Sequence, residues 1–164
     1  MKKIIFLDVD GVLNSNPWND THQKEISVGL LIDEDKVKLL SEIISKTEAS
    51  IILHSGWRVW FDENILPTRK ESQLLVEILE RNHILILGVT PDLSTEEVKV
   101  TKKYSLVKAK EILTWLQEHP EVERWVVIDD LYLHNDEVEK HQIKTNCLIG
   151  LTQADVDAAI DRLQ

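Results

Sequence analysis

Among 164 residues there is one cysteine, Cys147, which excludes an intrachain disulfide and a cysteine-rich metal site. Set in an apolar segment, that thiol is expected to be a small buried hydrophobe. Five glycines and four prolines are too few for a flexible linker or a low-complexity tract. Long apolar runs are missing too, and none approaches the ~18 residues of a membrane helix. Lys2 and Lys3 before Ile4 imitate the start of a secretory leader. The run stops at Asp8, short of the about 7–15 apolar residues such a leader requires. A reducing, cytoplasmic setting with no membrane partner is therefore expected. Basic residues are in deficit, 19 against 29 acidic, for a net charge of −10. No broad nucleic-acid-binding surface is expected, because non-specific binding needs Lys/Arg contacts to phosphates. A local basic patch is compatible with the total, and part of the acid excess suits carboxylates gathered around a cation.

What is present is an alternation of apolar runs and amphipathic stretches over one domain, residues 1–164. A chain of this size buries roughly 70% of its unfolded surface. Lys3 to Val9, Ser50 to Leu53, Ile84 to Val89, Trp125 to Ile128 and Asn146 to Ile149 read as strands. Helices are predicted from an Asp33 cap with a stripe through Val37, Leu40 and Ile44, then over Ser72 to Arg81 and Ser105 to Glu118. A last helix is capped by Thr152, with Asp155 in its first turn. Leu13 to Ile32 reads as irregular, and Asp92 to Tyr104 is left without an assignment. The order implies an α/β fold: a doubly wound, mostly parallel sheet with helices on both faces.

Three motifs begin where a predicted strand ends, the place where open α/β sheets bind ligands. Asp8-Val9-Asp10-Gly11 offers two carboxylates on one side of a strand end, with a glycine that permits a sharp turn. A calcium loop is excluded, since Val12 and Leu13 stand where that pattern needs an oxygen ligand and a glycine. Ser55-Gly56-Trp57-Arg58 supplies a hydroxyl, free backbone N–H groups and a guanidinium suited to an anion. Asp129 and Asp130 end an apolar strand, an expensive place for two carboxylates without a cation or donors. A lysine, Lys108 with Lys110 as competitor, lies on the helix between the second and third of these.

In this order the motifs resemble the haloacid dehalogenase-like (HAD) phosphatase superfamily, with its DxDG, strand-end Ser/Thr, Lys and acidic pair. The resemblance is closest to the HAD domain of bacterial RNA-repair proteins. It rests on Ser55 to Arg58, Gly88 to Pro91, Glu111-Ile112 with Trp115-Leu116, Arg124-Trp125, and Gly150 to Thr152. His54 departs from the small hydroxyl residue expected at its position. The resemblance implies that Asp8 is a nucleophile and metal ligand, and that Asp10 is general acid and base with its carbonyl on the metal. It implies that Ser55 and Lys108 hold the phosphoryl oxygens, with Gly56 and Arg58 also binding substrate. Asp129 would ligate Mg²⁺ and Asp130 would orient it directly or through water. All-oxygen ligation suits Mg²⁺, and zinc spacing is missing.

A receiver domain, the main rival, would carry its phosphorylated aspartate after the third strand, where Gly88-Val89-Thr90 has no acid. A non-catalytic phosphate-binding domain is a further alternative, and no Walker or GxGxxG loop supports a nucleotide-binding module. Between the first two motifs only Asn14 to Ile32 is free to form a flap, so no sizeable cap is expected. An open site of this kind suits a phosphorylated nucleotide or nucleic-acid end. Trp18, Trp57, Trp60 and Phe61 are candidates for stacking on its base, with recognition confined to the terminal nucleotides by the overall charge.

Overall fold

The computed structural model describes residues 2–22 and 31–164. The apolar runs become parallel strands: β1 (Lys2–Leu7), β2 (Ser50–Leu53), β3 (Ile86–Val89), β4 (Val122–Asp129) and β5 (Gln142–Lys144). They form one sheet in the order β3-β2-β1-β4-β5 with every pair parallel. Side chains alternate across a strand, so β1 sends Ile5 and Leu7 to one face and Ile4 and Phe6 to the other. The first face is covered by α2 (Glu34–Thr47), α3 (Lys70–Arg81) and α7 (Gln153–Leu163) through Leu40, Leu75 and Val156. The second is covered by α5 (Ser105–Gln117) and α6 (Asp136–Lys140) through Ile112, Trp115 and Val138. Phe6 meets Trp115 edge-on at 5.4 Å in that second core. Burial on both faces explains why these strands are continuously apolar rather than alternating.

The chain winds outward from β1 through β2 to β3, then returns to the other side of β1 as β4. The crevice beyond β1 and β4 is thus the switch point at which such sheets bind ligands. In the receiver order β3 lies beside β1, whereas here β4 does, which removes that rival.

Three local expectations need correction, and one stretch without an assignment gains a helix. The fifth strand is not Asn146 to Ile149: the Asn146 side chain accepts from the Leu148 N–H at 2.9 Å, and Gly150 takes φ +78°. The run is a surface turn with Leu148 60% and Ile149 50% exposed, while the pairing with β4 is made by Gln142–Lys144. Cys147 in that turn is half-buried rather than buried. The stretch from Leu13 contains a helix, α1 (Asn16–His22), with Pro17 in its first turn, where a missing N–H removes no bond. Residues 23–30, including Gly29, lie outside the described residues. The unassigned stretch before Tyr104 holds α4 (Glu96–Thr101), capped by the Thr95 hydroxyl, which accepts from Val98 N–H at 3.2 Å. Among the described residues no helix is long and apolar enough to cross a membrane.

Candidate active site

Parallel register brings the motifs together. Leu7 pairs with Leu53 on one side and with Ile128 on the other, so the next residues, Asp8, His54 and Asp129, stand side by side at the carboxyl edge of the sheet. Two bonds extend the ladder one step: Asp8 N–H donates to the Ile128 carbonyl (2.9 Å) and His54 N–H to that of Leu7 (2.7 Å). With strands about 4.8 Å apart, Asp8, Asp129 and Asp130 place a carboxylate oxygen each within 4.8 Å of one another. Asp8 and Asp129 are buried and Asp130 is half-buried.

Lys108, buried on α5, reaches between them. Its ammonium donates to Asp129 Oδ2 and lies 3.3 Å from Asp8 Oδ2. Lys110 is exposed, so it is Lys108 that the helix brings to the carboxylates. Burial raises the Asp8 pKa to about 7, against the pull of Lys108 and with Asp129 adding to the rise. Burial likewise raises Asp129 and Asp130 above the usual carboxylate range. Burial opposes the charge on Lys108, but Asp8 and Asp129 outweigh it and hold its pKa above the ordinary lysine value. Three carboxylates around one ammonium are short of positive charge. A divalent cation fits that deficit, and an all-oxygen donor set suits a hard ion.

The turn after Asp8 is built for closeness. Gly11 has φ +81°, and a Cβ there would lie 2.5 Å from Asp130 Cγ. Only glycine combines that backbone with that approach. Asn14, fully buried, accepts from Gly11 N–H at 2.9 Å and donates to Asp10 Oδ1 (3.0 Å) and the Leu31 carbonyl (2.9 Å). The other Asp10 oxygen accepts the Trp57 indole N–H at 3.0 Å. Asp10 itself is exposed, so its two oxygens are aimed by neighbours rather than by burial.

Ser55 caps the 3-10 turn Gly56–Trp60, accepting from Trp57 N–H at 3.3 Å, which leaves its own O–H to donate. Arg58 is already engaged: it donates to Glu111 and to the Ser55 carbonyl (3.4 Å), and stands 3.7 Å from Asp92. Burial raises the Glu111 pKa against the pull of Arg58, and its carboxylate also accepts from Leu93 N–H at 3.0 Å. His54 is buried, with Nδ1 2.7 Å from the Thr90 hydroxyl and Nε2 without a partner among the described residues. Burial, then Lys108 and Arg58, push its pKa well below the usual value.

A cavity of about 640 Å³ opens over this cluster, lined by Asp8, Asp10, Ser55, Arg58, Lys108 and Asp130 among others. Gly56 is on its wall, whereas Asp129 is fully buried and does not line it. The stacking candidates are elsewhere. Trp57 belongs to the core, Trp60 and Phe61 pack on its edge, and Trp18 stacks on His22 with centroids 3.9 Å apart. The aromatic residue that lines the cavity is Tyr104, with Lys99 near it in sequence and on the same wall. Both lie in the stretch left without an assignment, and its run of lysines was the available signal. Asn14 and Glu111 gave none as ligand-orienting residues, since a lone Asn or Glu has many commoner uses.

No curated protein and no solved structure matches the chain. The profile of one family, described as the HAD domain in Swiss Army Knife RNA repair proteins, matches residues 4–156. That span takes in four of the strands and β1 from Ile4 onward, both acidic clusters, Ser55 and Lys108. By this match, over a sheet of HAD-type order with the family's motifs at its switch point, the chain belongs to the HAD domains of Swiss Army Knife RNA repair proteins and is a hydrolase of the HAD type.

Proposed function

We propose that the protein is a Mg²⁺-dependent phosphomonoesterase, residues 1–164 acting as one unit, that works through an aspartyl-phosphate on Asp8. The observation that carries the reading is the placement of Asp8: a strand-end carboxylate on the cavity wall, 3.3 Å from the Lys108 ammonium and clustered with Asp129 and Asp130. A carboxylate oxygen of Asp8 attacks phosphorus in line. The bond from phosphorus to the ester oxygen breaks, and that oxygen takes the proton carried by Asp10. Asp10 then accepts a proton from water, whose oxygen attacks the phosphoryl group. The bond to Asp8 breaks, inorganic phosphate leaves, and the Asp8 carboxylate is restored.

Asn14 and Trp57 hold the two Asp10 oxygens for both proton transfers. The Ser55 hydroxyl, Gly56 N–H and Lys108 ammonium meet the phosphoryl oxygens as charge shifts in the transition state. Arg58, held by Glu111, brings to the wall a guanidinium whose Nε–H has no partner among the described residues. Asp8, Asp129, Asp130 and the Asp10 carbonyl are the residues that would hold Mg²⁺. When bound, the ion neutralises phosphoryl oxygens and keeps clustered carboxylates ionised. Among the described residues no inserted domain covers the cavity, which supports a bulky substrate, a nucleotide or nucleic-acid end. The lone Cys147 favours a reducing, cytoplasmic setting.

The test is a screen of purified protein with Mg²⁺ against nucleotides, phosphorylated RNA and DNA ends, phosphopeptides and sugar phosphates. Hydrolysis of nucleotides or ends is expected, and none by Asp8→Asn. A wild-type protein inert toward every phosphomonoester would contradict the proposal.

A further inference from the structure

The acidic chain contains one stretch of opposite character. Residues 98–110 hold Lys99, Lys102, Lys103, Lys108 and Lys110 and no acidic residue, although acids exceed bases overall by 29 to 19. Lys108 is buried in the site, and Lys110 lines a separate shallow pocket with Leu113 and Gln117. The other three gather at the corner between α4 and α5. There Lys102 takes a left-handed backbone, φ +55°, that turns the chain toward α5.

That corner adjoins the cavity. Lys99 and Tyr104 line it together with Ser55 and Lys108. Tyr104 is 43% exposed, an aromatic side chain open to solvent on the wall of a charged pocket. Its backbone is already helical, φ −61° and ψ −28°. Lys108 therefore follows four residues along on the same side of the helix, one turn or about 5.4 Å away. Lys99 makes an exposed contact with Glu96 at 3.5 Å and its charge also bears on Asp92 across the wall, so it is the least free of the three. Lys102 and Lys103 are exposed, and their ammonium groups have no partner among the described residues. A merely solvated helix face mixes signs; adjacent unpaired lysines beside an exposed aromatic are the elements of a single-strand platform, cations for the backbone and a ring for a base.

Resting on the phosphatase reading, we infer that the α4–α5 corner, Lys99 to Tyr104, docks the leaving group and fits a single-stranded nucleic-acid end. The terminal base stacks on Tyr104 while its phosphate faces Ser55 and Lys108. Lys99, Lys102 and Lys103 meet the phosphates that follow. A base paired within a duplex has no free face for Tyr104, so single strands are preferred. The strip is short, so affinity rises from a mononucleotide to a short oligonucleotide and then levels off.

The experiment uses the Asp8→Asn chain, which holds substrate without turnover, and a fluorescent single strand with a terminal phosphate, read by anisotropy across a salt series. Adding Lys102→Ala and Lys103→Ala is expected to lower the slope of log affinity against log salt by about 1.4, at ~0.7 per phosphate contact in single strands. Adding Tyr104→Ala is expected to weaken binding roughly tenfold, with Tyr104→Phe retaining it. An unchanged salt slope, equal binding of duplex ends, or tighter binding of an acidic phosphopeptide than of the oligonucleotide would each overturn the strip. Oligonucleotide binding with these sensitivities, in a protein whose wild type hydrolyses no phosphomonoester, would support the strip and refute the phosphatase reading alone.

Discussion

The indole N–H of Trp57 donates to Asp10 Oδ2 at 3.0 Å, joining residues 47 apart in sequence. Trp57 is also a core residue, so the aim of Asp10 is fixed by the packing of the layer beneath it. Trp57→Phe keeps most of the ring and removes the donor. A hydrogen bond to a charged group contributes about 1.5–3 kcal/mol, so kcat is expected to fall roughly tenfold or more. KM should change little, because the bond aims Asp10 and does not touch the substrate. Steady-state kinetics checks this, and an unaltered kcat would show that Asp10 needs no such support.

His54 links the site to stability. Its folded pKa lies well below the usual 6.5, first because it is buried and then because Lys108 and Arg58 face it. Above about pH 6.5 the imidazole is neutral in both folded and unfolded chains and contributes no pH dependence. Below it only the unfolded chain takes up the proton, so stability falls as pH drops toward the depressed folded value, by up to ~1.4 kcal/mol per pH unit. Denaturant midpoints measured between pH 7 and 5 should fall more steeply in the wild type than in His54→Asn. Parallel slopes would contradict the assignment of a buried neutral imidazole.

Asp8, Asp129 and Asp130 all have raised pKa values around the single Lys108 ammonium. Mg²⁺ binding to the native state alone should therefore stabilise the fold, by about 2.7 kcal/mol at a hundredfold excess over Kd. Thermal unfolding with and without the ion measures it, with Asp129→Asn expected to abolish most of the gain. A melting temperature indifferent to Mg²⁺ in the wild type would argue against a metal site at this cluster.

Much of this arrangement was legible in the sequence because it is local. Continuous apolar runs ending in Asp8, His54-Ser55 and Asp129 marked parallel strand ends, and a parallel sheet must bring such ends to one edge. The Thr152 cap was readable for the same reason: the Thr152–Asp155 pair is made within one turn. Non-local contacts left no such mark. Cys147-Leu148-Ile149 has strand composition, yet the Asn146 side chain and Gly150 commit it to a turn. The true edge strand begins at Gln142, whose amide is buried donating to the Asp129 and Leu131 carbonyls, a role that its polarity conceals. Trp57 was readable as aromatic, but only tertiary packing turns its indole away from a substrate base and onto Asp10.

The nucleophile is the most direct point of attack. Wild-type protein mixed with Mg²⁺ and a phosphorylated substrate, quenched in acid during turnover and digested, should yield a peptide carrying one phosphoryl group on Asp8, the label being lost on treatment with hydroxylamine. Asp8→Asn should give neither the adduct nor turnover while unfolding as cooperatively as the wild type. Turnover in the wild type with no phosphoryl group on Asp8, or turnover retained by Asp8→Asn, would contradict an aspartyl-phosphate mechanism.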